Sequence, residues 1–189
     1  MSLDDSEHKY QATVQSLVEA LQEALQQALR PDRSAFPALL LLYASMDIVA
    51  SLSRPINHAD TNNKIFKAWM DDYMLPGSGL PCSSEDIYAA RCGILHTLSV
   101  ASANSRSGAA RRINYVDKFA EVPRLQALFK PGEENQLVVS LPEYFKAFYA
   151  GILHFTESIM KDEDLRTRVY HHIGAVALEI TIAADHTKP

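Results

Sequence analysis

Over the first thirty residues Val14, Leu17, Val18, Leu21, Leu25, Ala28 and Leu29 recur at i, i+3, i+4 and i+7, with Gln and Glu between them. That spacing predicts an amphipathic helix, ended at "RPDR", where Pro31 cannot extend it. Ser34 is placed to cap a second helix with Pro37 in its first turn, running to about Ser53 before "RPINHAD" breaks it. Its opening, "AFPALLLLYASM" (Ala35–Met46), is apolar on every side. The run stops at Asp47, short of the ~20 residues that span a bilayer. It reads as a core helix buried all round, with no membrane role.

A third helix is expected over Asn62–Met74, with Ile65, Phe66, Trp69 and Tyr73 as its stripe, followed by the loop "LPGSGLPCSS". Ser83 and Asp86 have capping-box spacing and start a fourth helix, "DIYAARCGILHT". The segment Ser99–Phe119 turns small and polar, then basic, and feeds an extended piece, "INYV"; a second extended piece, "QLVVS", follows. These two are expected to pair as a small hairpin. Ser140 and Glu143 again have capping-box spacing, ahead of a helix buried through Phe145, Phe148, Tyr149, Ile152 and Ile159. A last helix should run from about Asp164 to Ile182 on Leu165, Val169, Ile173, Val176 and Ile180. Six helices with short connections make an all-α, up-and-down helical bundle. The chain reads as one domain over residues 1–189, with 99–140 as a loop and extended insertion.

Composition narrows this little. The 189 residues suffice for one core, and 47% hydrophobic with 22% charged residues is ordinary for a globular domain. A net charge of −5 argues against a protein coated in positive charge, though not against a local basic site. Two cysteines, Cys82 and Cys92, are too few for a disulfide scaffold, and "MSLDDSEHKY" is too acidic for a signal peptide. A cytoplasmic location is the expectation.

The fourth helix poses the chemical question, because it carries a permanent cation, Arg91, and an imidazole, His96, five positions apart. At ~100° per residue they diverge by ~140°, which also excludes a helical metal site with ligands four apart. Three devices could reunite them: a π-type widening eased by Gly93, the long arginine stem wrapping round the helix, or a second subunit across a twofold axis.

Arg91-Cys-Gly-Ile-Leu-His96 resembles the R-x(4–6)-H signature of HEPN domains, the nucleotide-binding helical fold of higher eukaryotes and prokaryotes. "ALLLLYASMDIVA" is similar to that family's apolar second helix with its single acid, and "FKAWMDDYM" followed by "DIYAARCGILHT" resembles one bacterial branch. The resemblance covers roughly residues 35–107. It implies a metal-independent endoribonuclease without cofactors, a homodimer, often of a toxin–antitoxin or phage-defence system with an antitoxin partner. Arg91 would hold the scissile phosphate and stabilise its developing charge. His96 would act as general base or acid, leaving a 2′,3′-cyclic phosphate. Cys92 stands where active members commonly carry a polar residue, which points to a second reading: a non-catalytic module that binds a nucleotide, RNA or a partner protein. The plain alternative is an interaction bundle, with His96 favoured at a helix end by the macrodipole.

Asp47, within an apolar helix, needs a partner, and Arg91 is the economical one. That pairing would either tie two helices or orient the arginine. In "NSRSGAARRINYVDK", Arg106, Arg111, Arg112 and Lys118 stand against one acid, Asp117. With Tyr115 to stack a base, this stretch is expected to bind an RNA backbone; the alternative is a solvated loop whose arginines pair with acidic helices. His172 falls on an apolar stripe and reads as core or interface, His154 reads as surface, and neither these, His58 nor Cys82 has metal-ligand spacing.

Overall fold

Apolar burial is centred on one helix, and the other elements are best described by how they reach it. The computed structural model describes residues 11–16, 18–21, 23, 26, 35–99, 102–130 and 135–173. Helix α1 occupies the described positions between 11 and 26, with Val14 and Leu21 buried; Leu17, Leu25, Ala28, Leu29, Ser34, Val176 and Ile180 lie outside the described residues. Helix α2, Ala35–Leu52, buries Ala38, Leu42, Tyr43, Met46 and Ala50 completely. By length and composition alone it could cross a membrane, but half of that window is buried inside the fold. Ile48, 44% exposed, shows that α2 is not covered all round. Its grease is core for the helices packed on it.

Helix α3, Asn63–Trp69, starts where the Asn62 side chain accepts from Lys64 and Ile65 N–H groups. It continues without a break into a π-turn, Met70–Met74, marked by the bond from Leu75 N–H to the Met70 carbonyl at 2.8 Å. The expected helix is therefore present, wound wider over its last turn. That widening turns Trp69, Met70 and Met74 inward together, leaving each no more than 1% exposed, whereas Tyr73 is only partly buried. Helix α4, Ser84–Thr97, opens on the expected capping box: Asp86 N–H donates to the Ser83 hydroxyl at 3.3 Å, and Ser83 N–H to the Asp86 carboxylate at 2.9 Å.

Between α4 and the next long helix lie a short α5, Ala103–Arg106, strand β1, Arg112–Val116, a 3-10 turn, Phe119–Glu121, α6, Val122–Gln126, and strand β2, Gln136–Ser140. The two strands pair in parallel, Arg112 opposite Gln136 through Val116 opposite Ser140. The expected hairpin is thus corrected, and the physical reason is the connection: parallel neighbours need a crossover, and the 3-10 turn and α6 supply it. Ile113, Leu137 and Val139 join the same core as the helices.

Strand β2 runs directly into α7, Leu141–Lys161. The second expected capping box does not form, because Ser140 is the last paired residue of the strand, and among the described residues its buried hydroxyl has no partner. Phe145, Phe148, Ile152 and Ile159 are buried as expected, together with Tyr144 and Phe155, while Tyr149 is exposed. The last helix, α8, covers the described residues 163–173 and buries Leu165, Val169 and Ile173. Among the described residues the molecule is mostly helical, with eight helices rather than six and a small two-stranded parallel sheet.

The π-turn and α7 approach so closely that Gly151 has no room for a side chain: a Cβ there would lie 2.9 Å from the Met74 Cα. Trp69 packs edge-on to Phe155 with ring centres 6.0 Å apart, and on Phe148 at 5.9 Å. Backbone, not a flexible side chain, meets the added methyl. Gly151→Ala should therefore lower stability by about 1–3 kcal/mol, read as a reduced urea midpoint, despite the better helix propensity of alanine.

Candidate functional site

Position 47 on α2 and positions 91 and 96 on α4 meet at one edge of the bundle. The Asp47 carboxylate takes the Arg91 guanidinium as a fork: Nε donates to Oδ2 at 2.8 Å and to Oδ1 at 3.1 Å, and Nη2 to Oδ2 at 2.5 Å. This leaves Nη1 pointing elsewhere, and it lies 3.0 Å from His96 Nε2 and 4.0 Å from Cys92 Sγ. Burial pulls the arginine pKa down, but the hydrogen bonds and charge of Asp47 more than offset it, so the guanidinium sits above its ordinary value. Arginine only donates, so this contact is a hydrogen bond when His96 accepts through the Nε2 lone pair.

Of the three devices that could unite Arg91 and His96, the long stem is the one realised within a single chain. The helix is α throughout Ser84–Thr97, and the π-turn of the molecule falls at Met70–Met74 instead. The ring of His96 stays exposed because the helix ends just beyond it. The Gly93 carbonyl accepts from the N–H groups of both Leu98 and Ser99, and Leu98 adopts the left-handed conformation with φ 51°. A leucine held there costs about 1–2 kcal/mol relative to helical φ, and its side chain, 67% exposed, regains little of that by packing. Tyr88, one turn before Cys92, completes the surroundings; burial, then Cys92, raises its pKa. It was not singled out from sequence, though its i, i+4 relation to Cys92 was visible there.

The basic segment divides. Arg111 is structural: Nε and Nη2 donate to Asp86 Oδ2 at 3.1 and 2.6 Å, its backbone N–H to Oδ1 at 2.6 Å, and Nη2 also to the Pro81 carbonyl at 2.9 Å. Tyr115 points inward, where its hydroxyl bonds that of Tyr43, which in turn bonds Tyr144 at 3.1 Å. Burial holds all three phenols well above their usual pKa. The expected base-stacking Tyr115 is therefore core, because its strand faces the bundle, while Arg111 is held by the buried Asp86 with 41% of its side chain still exposed. Arg106, Arg112 and Lys118 are exposed. Elsewhere, His172 is buried and bonds the Arg54 carbonyl at 3.1 Å, and the exposed His154 bonds the Tyr73 carbonyl at 3.2 Å. Burial pushes the Cys82 thiol up to about 12. Among the described residues no group of three or more His, Cys, Asp or Glu gathers as metal ligands would.

Compared with known proteins, this chain matches no protein-family model, no curated protein and no solved structure.

The side chains of Arg91 and Asp47 are 19% and 20% exposed, so each ion is largely withdrawn from water. Removing one strands the other. Asp47→Ala should cost about 1–3 kcal/mol in chemical denaturation, and the paired change Asp47→Leu with Arg91→Met should recover part of it. For Asp86 burial raises the pKa, but the bonds from Ser83 and Arg111 outweigh it and leave it depressed. A depressed carboxylate contributes stability that is complete above its unfolded value, ~3.9, and lost as pH falls through the folded one. The urea midpoint should therefore drop below about pH 4, and less steeply in Asp86→Asn.

Proposed function

We propose that the chain is a HEPN-like, metal-independent endoribonuclease that acts through Arg91 and His96 at the cleft of a homodimer. The observation that carries this reading is the contact of 3.0 Å between Arg91 Nη1 and His96 Nε2, with Asp47 occupying the other side of the guanidinium. Asp47 holds the arginine and uses Nε and one Nη2 hydrogen, which leaves Nη1 and the second Nη2 hydrogen for an anion. A phosphodiester would displace the direct arginine–histidine contact and accept from Arg91. The Nε2 lone pair of His96 would then face the 2′-hydroxyl. The proton moves from the 2′-oxygen to His96 as that oxygen bonds phosphorus, the bond to the 5′-oxygen breaks, and the 5′-oxygen takes up a proton. A 2′,3′-cyclic phosphate and a 5′-hydroxyl result.

The leaving oxygen needs a proton donor, and a second copy's histidine across a twofold axis supplies one. Two exposed apolar side chains adjoin the site in sequence, Ile48 after Asp47 and Leu98 two beyond His96, and would be covered in such a dimer. Arg106, Arg112 and Lys118 are exposed and would follow the RNA backbone. A cytoplasmic location, where RNA is met, and an antitoxin partner belong to the same reading.

Cys92 favours a second reading, a binding module that holds RNA or a nucleotide without cutting. Its thiol stands 4.0 Å from Nη1, where a polar group would bond a phosphate more strongly.

Incubation of the purified chain with mixed RNA in EDTA separates the readings. Cleavage by the wild-type chain should leave cyclic-phosphate ends and fall by about 100-fold or more in Arg91→Ala and in His96→Ala. Cleavage equal in all three refutes the enzymatic reading. Thermal stabilisation by short RNA with no product supports the binding module instead.

A further inference from the structure

A cleft with apolar and charged walls is built on the π-turn. It encloses about 190 Å³ between α3, the turn itself, the loop after α2, and α8. An engineered cavity of about 150 Å³ holds benzene, so this space suits a ligand slightly larger. Its walls include Ile65, Ala68 and Leu165, which are apolar, and two opposite charges, Asp72 from the π-turn and Arg168 from α8. Among the described residues no ion pair joins those two charges; the Arg168 Nε donates to the carbonyl of Asp164 at 3.4 Å. The wider winding is what places Asp72 and Tyr73 here, and π-turns recur at functional sites. Both charges act on the Tyr73 hydroxyl, which burial raises first, Asp72 raises further and Arg168 lowers.

Trp69 is part of the wall and only 1% exposed. Opposite charges held apart across a small apolar hollow match a molecule that carries both charges itself.

We propose that this cleft binds a free apolar α-amino acid as its zwitterion. The ligand's carboxylate pairs with Arg168, its ammonium pairs with Asp72, and its side chain lies against Ile65, Ala68 and Leu165. A carboxylate without the ammonium would meet Asp72 unscreened, and an amine without the carboxylate would meet Arg168, so neither half suffices. The site is independent of Arg91 and His96.

Trp69 is the chain's sole tryptophan, so its emission reports occupancy directly. The full chain is titrated with L-leucine and L-phenylalanine, and in parallel with 4-methylpentanoate, 3-methylbutylamine and leucyl-leucine. Saturable emission change with leucine or phenylalanine, and binding about tenfold or more weaker for the two half-molecules, is the expected result. Asp72→Asn and Arg168→Gln should each weaken leucine about tenfold or more, with circular dichroism unchanged; Asp72 is exposed, so its variant keeps the test available if Arg168→Gln misfolds. No saturation by either amino acid at millimolar concentration overturns the proposal. So does equal binding of 4-methylpentanoate, tighter binding of the dipeptide, or leucine affinity untouched in Asp72→Asn.

Discussion

One ion pair organises this molecule: the Arg91 guanidinium clasped by Asp47. Helix α2 carries no other charge, and a lone carboxylate in its seam would be costly. Pairing it with Arg91 satisfies both ions and ties α2 to α4. It also decides where the rest of the guanidinium goes. With Nε and Nη2 taken by the fork, Nη1 is left to face His96. A structural bond between two helices and the orientation of a reactive-looking pair are therefore the same interaction. This is why the two accounts of Asp47, as tie and as orienter, do not compete.

The second constraint is steric. The π-turn drives Met70 and Met74 inward beside Trp69, and α7 can close on it only where Gly151 offers no side chain. The aromatic rings of α7 then fill the space around Trp69. Asp72 and Tyr73 of the same turn lie where α8 and the loop after α2 complete a small, largely apolar hollow. At the other end, Asp86 does for the basic segment what Asp47 does for α4. It caps the helix, takes Arg111 by three donors, and so fixes where β1 begins. The parallel strand that follows brings Tyr115 into contact with Tyr43 and Tyr144.

Elements with strong local signals were legible from the chain. The stripe of α7, the capping box at Ser83 and the span of α2 each follow from spacing or from a cap that acts within a few residues. The pairing of Asp47 with Arg91 was also legible, since burial of a charge demands a partner and few were on offer. The parallel sheet was not, because strand direction depends on the path of the connection, and the crossover's short 3-10 and α6 turns carry weak periodicity. Ser140 misled for a similar reason: its capping-box spacing is local, but the strand ladder took its backbone first. Tyr115 looked like a surface aromatic among arginines, and only the register opposite Val139 turned it inward.

What the sequence determined by itself was a helical protein with one apolar central helix, its caps, and an acid, an arginine and a histidine that had to be accounted for. Periodicity and capping act over a turn or two, so they are written locally. Tertiary structure alone decided that residues five apart on a regular helix touch, that the wide turn falls at Met70–Met74 rather than at Gly93, and that Arg111 and Tyr115 serve the interior. Each of those depends on which distant group arrives to share a carboxylate, a hydroxyl or a gap, and no short stretch of chain carries that information.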